Sequence, residues 1–148
     1  MATRTGAALV IGAGDATGGA IAKAFAREGL TACVTRRPRN LSDLDALVAG
    51  IESEGGTARA FGVDAREEAE TVALFGQVEA EVGPIEACVF NIGANVRFPV
   101  TETTSRVYQK VWEMAAFAGF LAGREAARVM TPRGHGTIIF TGATAALR

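Results

Sequence analysis

The sequence predicts a doubly wound α/β fold, a five-stranded parallel sheet with helices on both faces. Two observations carry that expectation. Short apolar runs alternate with segments of helical period along the whole chain, and an alternation of this kind places a parallel sheet between two helical layers. Glycine-rich breaks stand at the junctions, the densest of them between the first strand and the first helix.

Residues 7–12 are short, apolar and ended by glycine, and read as the first strand. Residues 17–28 read as a helix, with Ala20, Ile21, Ala24 and Phe25 on one face and Gly29 as its stop. Residues 30–35 are the second strand. Residues 41–54 are the second helix, with Leu44, Leu47, Val48 and Ile51 on one side and Gly55-Gly56 after it. Residues 57–63 form the third strand. Residues 67–82 form the third helix, carrying Val72, Phe75, Val78 and Val82, and Gly83-Pro84 breaks it. Residues 85–91 are the fourth strand and 92–103 a loop containing Gly93 and Pro99. A long helical region, 104–130, is expected to break near Gly119 or Gly123. The turn 131–134 then leads to a fifth strand, 136–140. Right-handed crossovers with a reversal after the third strand give the order 3-2-1-4-5. Periodicity alone does not separate this from the order 2-1-3-4-5.

A chain of 148 residues fits a single domain, 1–148, and its 49% apolar and 21% charged content is in the globular range. The formal net charge of −1 is dispersed, so neither a nucleic-acid surface nor a polybasic membrane anchor is expected. The first apolar run, 7–11, is too short for a secretory segment, and no run has the roughly 18 apolar residues of a membrane span, which makes the cytoplasm the expected compartment. Cys33 and Cys88 fall in different strands with one strand between them, so about 10 Å separates them and no disulfide forms.

The chemistry-bearing feature is the turn Gly12-Ala13-Gly14-Asp15-Ala16-Thr17-Gly18-Gly19. Small residues there let the backbone approach a pyrophosphate, and the following helix N-terminus offers unpaired N–H groups. Gly12, Gly14, Thr17 and Gly18 are therefore candidate residues of a Rossmann-type dinucleotide site. Asp15, whose carboxylate would repel phosphate, is expected at its edge as a cap of the turn or helix. Where a ribose-binding acid would stand, about 20 positions on, the chain has Arg36-Arg37, followed by Arg39. A guanidinium fork binds a 2′-phosphate, so NADP(H) is favoured over NAD(H).

The segment from Val10 to Ala22 resembles the TGxxxGxG turn of the short-chain dehydrogenases/reductases. Gly12 and Gly18 match its outer glycines, while Ala16 stands at the middle one and Ile11 replaces the threonine. Phe90-Asn91-Ile92-Gly93 is similar to the family's NNAG motif at Asn91 and Gly93. The resemblance implies that Asp64, after the third strand, contacts the adenine ring; a helix N-cap is the alternative role. It also implies an oxidoreductase moving a hydride between the cofactor and a small carbonyl or alcohol, with an Asn-Ser-Tyr-Lys tetrad.

The tetrad is not matched. Ala116 aligns with the Asn and Ala143 with the Ser, Thr141 and Thr144 being nearby hydroxyls, and the YxxxK motif would lie past Arg148. Tyr108 lacks that spacing and reads as a surface residue, and His135 as an exposed turn residue without metal-ligating neighbours. No catalytic residue and no metal ligand is therefore assigned. The chain is expected to be the cofactor-binding portion of a longer family member, and a non-catalytic dinucleotide-binding homologue is the alternative. Val107, Val111, Trp112, Phe117, Phe120 and Leu121 crowd one helical region, and the resemblance implies a homo-oligomer through residues 104–130.

Overall fold

The computed structural model describes residues 5–94 and 96–143. The strands β1 (Ala7–Ile11), β2 (Thr31–Arg36), β3 (Ala58–Gly62), β4 (Ile85–Phe90) and β5 (Thr137–Phe140) form one parallel sheet in the order β3-β2-β1-β4-β5. The order 3-2-1-4-5 is thus the one adopted. Helices α1 (Thr17–Arg27) and α2 (Leu41–Ser53) connect the strands on one side of β1, and α3 (Glu68–Glu81) crosses back to β4. Helices α4 (Ser105–Trp112) and α5 (Ala118–Met130) precede β5. Each strand and helix lies within one or two residues of its expected bounds.

Strand β1 is buried along its whole length because it lies at the centre of the sheet. Its side chains alternate between faces, as pleating requires. Leu9 and Ile11 enter a cluster with Phe61, Phe75, Val78 and Phe90, covered by α3 and α5. Val10 enters the opposite cluster with Val34, Leu44 and Ile51, covered by α1 and α2. Helix α3 is also fixed by its own acids. Ile85 N–H donates to Glu79 Oε1 (2.7 Å), near the C-terminal end, and Arg133 bridges Glu79 Oε2 and the Ile85 carbonyl, each at 2.8 Å.

The expected break near Gly119 or Gly123 is not found. The helix runs from α4 into α5 through one π-helical segment, Glu113–Phe117, ahead of both glycines. Gly119 and Gly123 serve packing instead. A Cβ on Gly119 would lie 3.3 Å from the Phe90 ring, and one on Gly123 would lie 3.0 Å from that of Phe140. The extra residue of a π turn shifts the side chains after it around the axis. Of the apolar residues that crowd this region, Leu121 is buried (1% exposed) and so unavailable to an association surface, while Trp112 (47%) and Phe120 (57%) stay outside.

Among the described residues no helix is long and apolar enough to cross a membrane, and no group of three or more potential ligands could hold a metal ion. Cys33 and Cys88 both register against Leu9, on opposite sides of β1, so they are two strand spacings apart. Burial pushes both thiols up to about 12. Native protein at pH 8 is expected to leave both unmodified by a thiol reagent, with two equivalents released only on unfolding. Rapid native labelling of either would contradict this packing.

Candidate functional site: a cleft at the carboxyl ends of the strands

The chain leaves β1 through Gly12, whose φ of +88° favours glycine. Its N–H and that of Ala13 donate to the Thr35 carbonyl at 3.2 and 3.0 Å, binding the turn to β2. Its carbonyl accepts the Asn91 amide (3.1 Å), binding the turn to β4. Gly18, buried in the first turn of α1, packs directly on that same carbonyl. A Cβ there would overlap Gly12 O and approach Ala13 Cα to 2.7 Å. Glycine at 18 is thus demanded by helix-on-strand packing.

Among the described residues, the N–H groups of residues 15–18 find no backbone acceptor, while Gly14 and Gly19 donate within the turn at 3.1 and 2.7 Å. Unpaired N–H groups at a helix start are an anion-binding arrangement. Asp15 does not cap this helix. Ala16 holds the N-cap position and no side chain caps it, so the Asp15 carboxylate is one residue out of register. It is exposed instead, 3.8 Å from Arg36 Nη1.

The turn forms one end of a cleft of about 320 Å³ at the point where the strand order reverses, the usual ligand position in such sheets. Gly12, Gly14, Asn91 and Gly93 line its floor, and Arg36, Arg37 and Asp64 line its walls. Gly93 leaves open space, since a Cβ on it would meet nothing within 4 Å. Thr17 is exposed and outside the lining, and Gly18 lies behind it. Among the further lining residues that were not assigned from the sequence, three stand out. Arg39 follows the arginine pair, Arg66 lies two residues beyond Asp64, and Met114 arrives on the π-helical segment. Only the first two sit next to a motif; Met114 reaches the cleft through a helical irregularity that periodicity does not announce.

The arginines differ in their surroundings. Arg36 donates to Asp43 Oδ2 at 2.9 Å. Arg37 and Arg39 form no ion pair among the described residues. Asp64 does not cap α3, whose N-cap is Glu67. Its carboxylate is engaged by Arg66, and that hydrogen bond first, with Arg37 adding, holds it below the usual carboxylate range despite partial burial.

The residues that the resemblance aligns with the tetrad, and the side chains considered beside them, lie as follows. Ala116 and Ala143 are exposed methyl groups. Thr141 Oγ1 is turned back to the Phe90 carbonyl at 3.3 Å, and Thr144 lies outside the described residues. Tyr108 lines a separate hollow with Val100 and Trp112, and His135 pairs with Glu86 at 3.1 Å, outside the cleft.

Sheet order, glycine turn and cleft together define an α/β dinucleotide-binding architecture. The family model described as short chain dehydrogenase matches residues 6–148, and the chain belongs to that family. It is 33% identical over 132 residues to gluconate 5-dehydrogenase of Gluconobacter oxydans, covering 89% of this chain and 51% of the relative. A short-chain dehydrogenase structure from Rhodopseudomonas palustris superposes with a TM-score of 0.91 at 52% identity, over 98% of this chain and 67% of the other. A variant actinorhodin polyketide ketoreductase solved with NADPH gives 0.91 at 25% identity, over 97% and 55%. The chain spans about half the length of the curated relatives it matches.

Gly18→Ala is expected to lower stability by about 1–3 kcal/mol, the usual cost of overpacking. Gly14→Ala, where a Cβ meets nothing within 4 Å, is expected to be far milder. Equal unfolding midpoints for the two variants in a urea titration would contradict the close approach at Gly18.

Proposed function

We propose that the chain is the cofactor-binding portion of an NADP(H)-dependent short-chain oxidoreductase, acting between the nicotinamide and a small carbonyl or alcohol. One observation carries this reading: a helix start with unpaired N–H groups opens beside a wall bearing Arg37 and Arg39, neither neutralised by an ion pair among the described residues. The N–H groups of the turn suit a pyrophosphate, and Gly12 and Gly14 allow it close approach. Arg37 and Arg39 suit a 2′-phosphate, for which Arg36 is less available because Asp43 holds it. Asp64 suits the adenine, and Asn91 and Gly93 shape the floor. When bound, the nicotinamide supplies or accepts the hydride. The NADPH of the actinorhodin ketoreductase structure is consistent with this choice. A non-catalytic dinucleotide-binding homologue is the second reading, favoured by the methyl groups of Ala116 and Ala143.

NADPH titration followed by fluorescence tests the assignment. NADPH is expected to bind more tightly than NADH. Arg37→Asp should weaken NADPH by about ten- to a hundredfold, the worth of a charged hydrogen bond, and leave NADH almost unchanged. Arg36→Asp should cost less. NADPH affinity that survives both substitutions overturns the 2′-phosphate site; no binding of either dinucleotide overturns the reading as a whole.

We further propose that the chain self-associates through residues 104–130. Trp112 stacks on Phe117 (5.5 Å between centroids), Phe117 on Phe120 (6.4 Å), and Trp112 and Phe120 remain half-exposed. A row of exposed aromatics is an association surface. Light scattering is expected to give a multiple of the 15.3 kDa chain mass, reduced by Trp112→Glu with Phe120→Glu. A monomeric wild type at high concentration would contradict it.

A further inference from the structure

Among the described residues, one sulfur stands where a small reagent can reach it, and it stands in the cleft. Met114 lines the cleft from the π-helical segment Glu113–Phe117 and is partly exposed. The other described sulfurs are shut away. Cys33 and Cys88 are fully buried, and burial pushes both thiols up to about 12, so neither supplies a thiolate at neutral pH. Met130 is buried in the cluster beneath α3 and α5, with its side chain packed on Gly136. Met1 lies outside the described residues.

The cleft lining is mostly polar or glycine, and its apolar part is Met114 with Val63, Ala65 and Ile92. A thioether suits such a wall because it is apolar, flexible and polarisable. It is also open to a chemistry that Val63, Ala65 and Ile92 do not have. A hydroperoxide converts an accessible thioether to the sulfoxide. The sulfur lone pair attacks one oxygen of hydrogen peroxide, an S–O bond forms and the O–O bond breaks. Sulfur loses two electrons, and the second oxygen leaves as water with both protons. The product puts a strong hydrogen-bond acceptor where the wall was apolar. A ligand resting on that wall must then cover a polar oxygen without pairing it, which is unfavourable.

We propose that Met114 is an oxidation site that makes the cleft sensitive to peroxide. As a thioether it admits the dinucleotide, as a sulfoxide it opposes it, and a bound dinucleotide shields it from the reagent. The inference rests on the dinucleotide reading above.

The test treats wild type, Met114→Leu and Met130→Leu with hydrogen peroxide and compares each with its own untreated state. Peptide mass mapping, NADPH titration by fluorescence and the unfolding midpoint are read on every sample. The Met114 peptide is expected to gain an oxygen ahead of the Met130 peptide and of both cysteines. NADPH affinity should fall about tenfold in treated wild type and in treated Met130→Leu. A methionine sulfoxide reductase should restore it. Met114→Leu should keep its starting affinity through the treatment. Met114→Gln, which sets a polar group there without peroxide, should bind as oxidised wild type does. NADPH present during treatment should slow oxidation of Met114. Oxidation of Met130 or a cysteine ahead of Met114 overturns the proposal. So does unchanged affinity in protein whose Met114 is fully oxidised, an equal loss in Met114→Leu, or no protection by NADPH. A lowered unfolding midpoint in oxidised wild type would make the sulfoxide a lesion of the fold and also overturn it. If untreated wild type binds neither NADPH nor NADH, the functional reading itself falls, a result distinct from binding that peroxide does not move.

Discussion

The carbonyl oxygen of Gly12 is where three elements of the chain are held together. It accepts the Asn91 amide from the end of β4 and the Gly14 N–H from its own turn, each at 3.1 Å, and Gly18 of α1 rests against it. Parallel strands have no tight hairpin to set their relative position, so the ends of β1 and β4 need such a tie. The cleft exists because these parts meet closely and yet leave the far side of the turn open. A larger residue at 18 would push α1 off the strand and move the helix N-terminus on which any anion site here depends.

Charge divides the cleft into unlike walls. On the β2 side the arginines follow one another, and an acid from α2 takes the first of them, leaving the next two without an ion pair among the described residues. On the β3 side an acid and an arginine satisfy each other within a single loop. The first arrangement suits a mobile, strongly charged group, because long side chains can adjust around it. The second leaves no charge unpaired and holds its carboxylate in one orientation.

The alternation of strands and helices is legible in the sequence because each strand centres on a short apolar run and helices have their stops, as at Gly29 and Gly83-Pro84. What periodicity left open, the choice between two strand orders, is decided by crossover geometry that no local pattern encodes. Gly12, which lines the cleft, is legible because it closes the first strand, and Asp64, Asn91 and Gly93, which line it too, through the resemblance of the segments after the third and fourth strands. Asp15 was misread: its chemistry suited a cap, but the cap position fell on Ala16. The π-helical segment is not legible in the sequence because a single added residue leaves the apolar count of a helix unchanged, and Met114, which lies on that segment, reaches the cleft without a motif. Arg66 is not legible as a cleft residue because its placement comes from a bond to Asp64 and not from a motif.

Helix α3 carries an acid near each end that reaches out of the helix to a backbone N–H, Glu70 to Asp64 and Glu79 to Ile85. One bond fixes the loop at the carboxyl end of the sheet, the other fixes the start of β4 at its opposite end. The helix therefore works as a strut spanning the sheet. The loop carrying Asp64 and Arg66 cannot swing without dragging the strut along. On the opposite side, Arg37 and Arg39 have no ion pair among the described residues to hold them in the same way. The cleft thus has one wall tied into a helix that spans the sheet and one wall of arginines without such a tie.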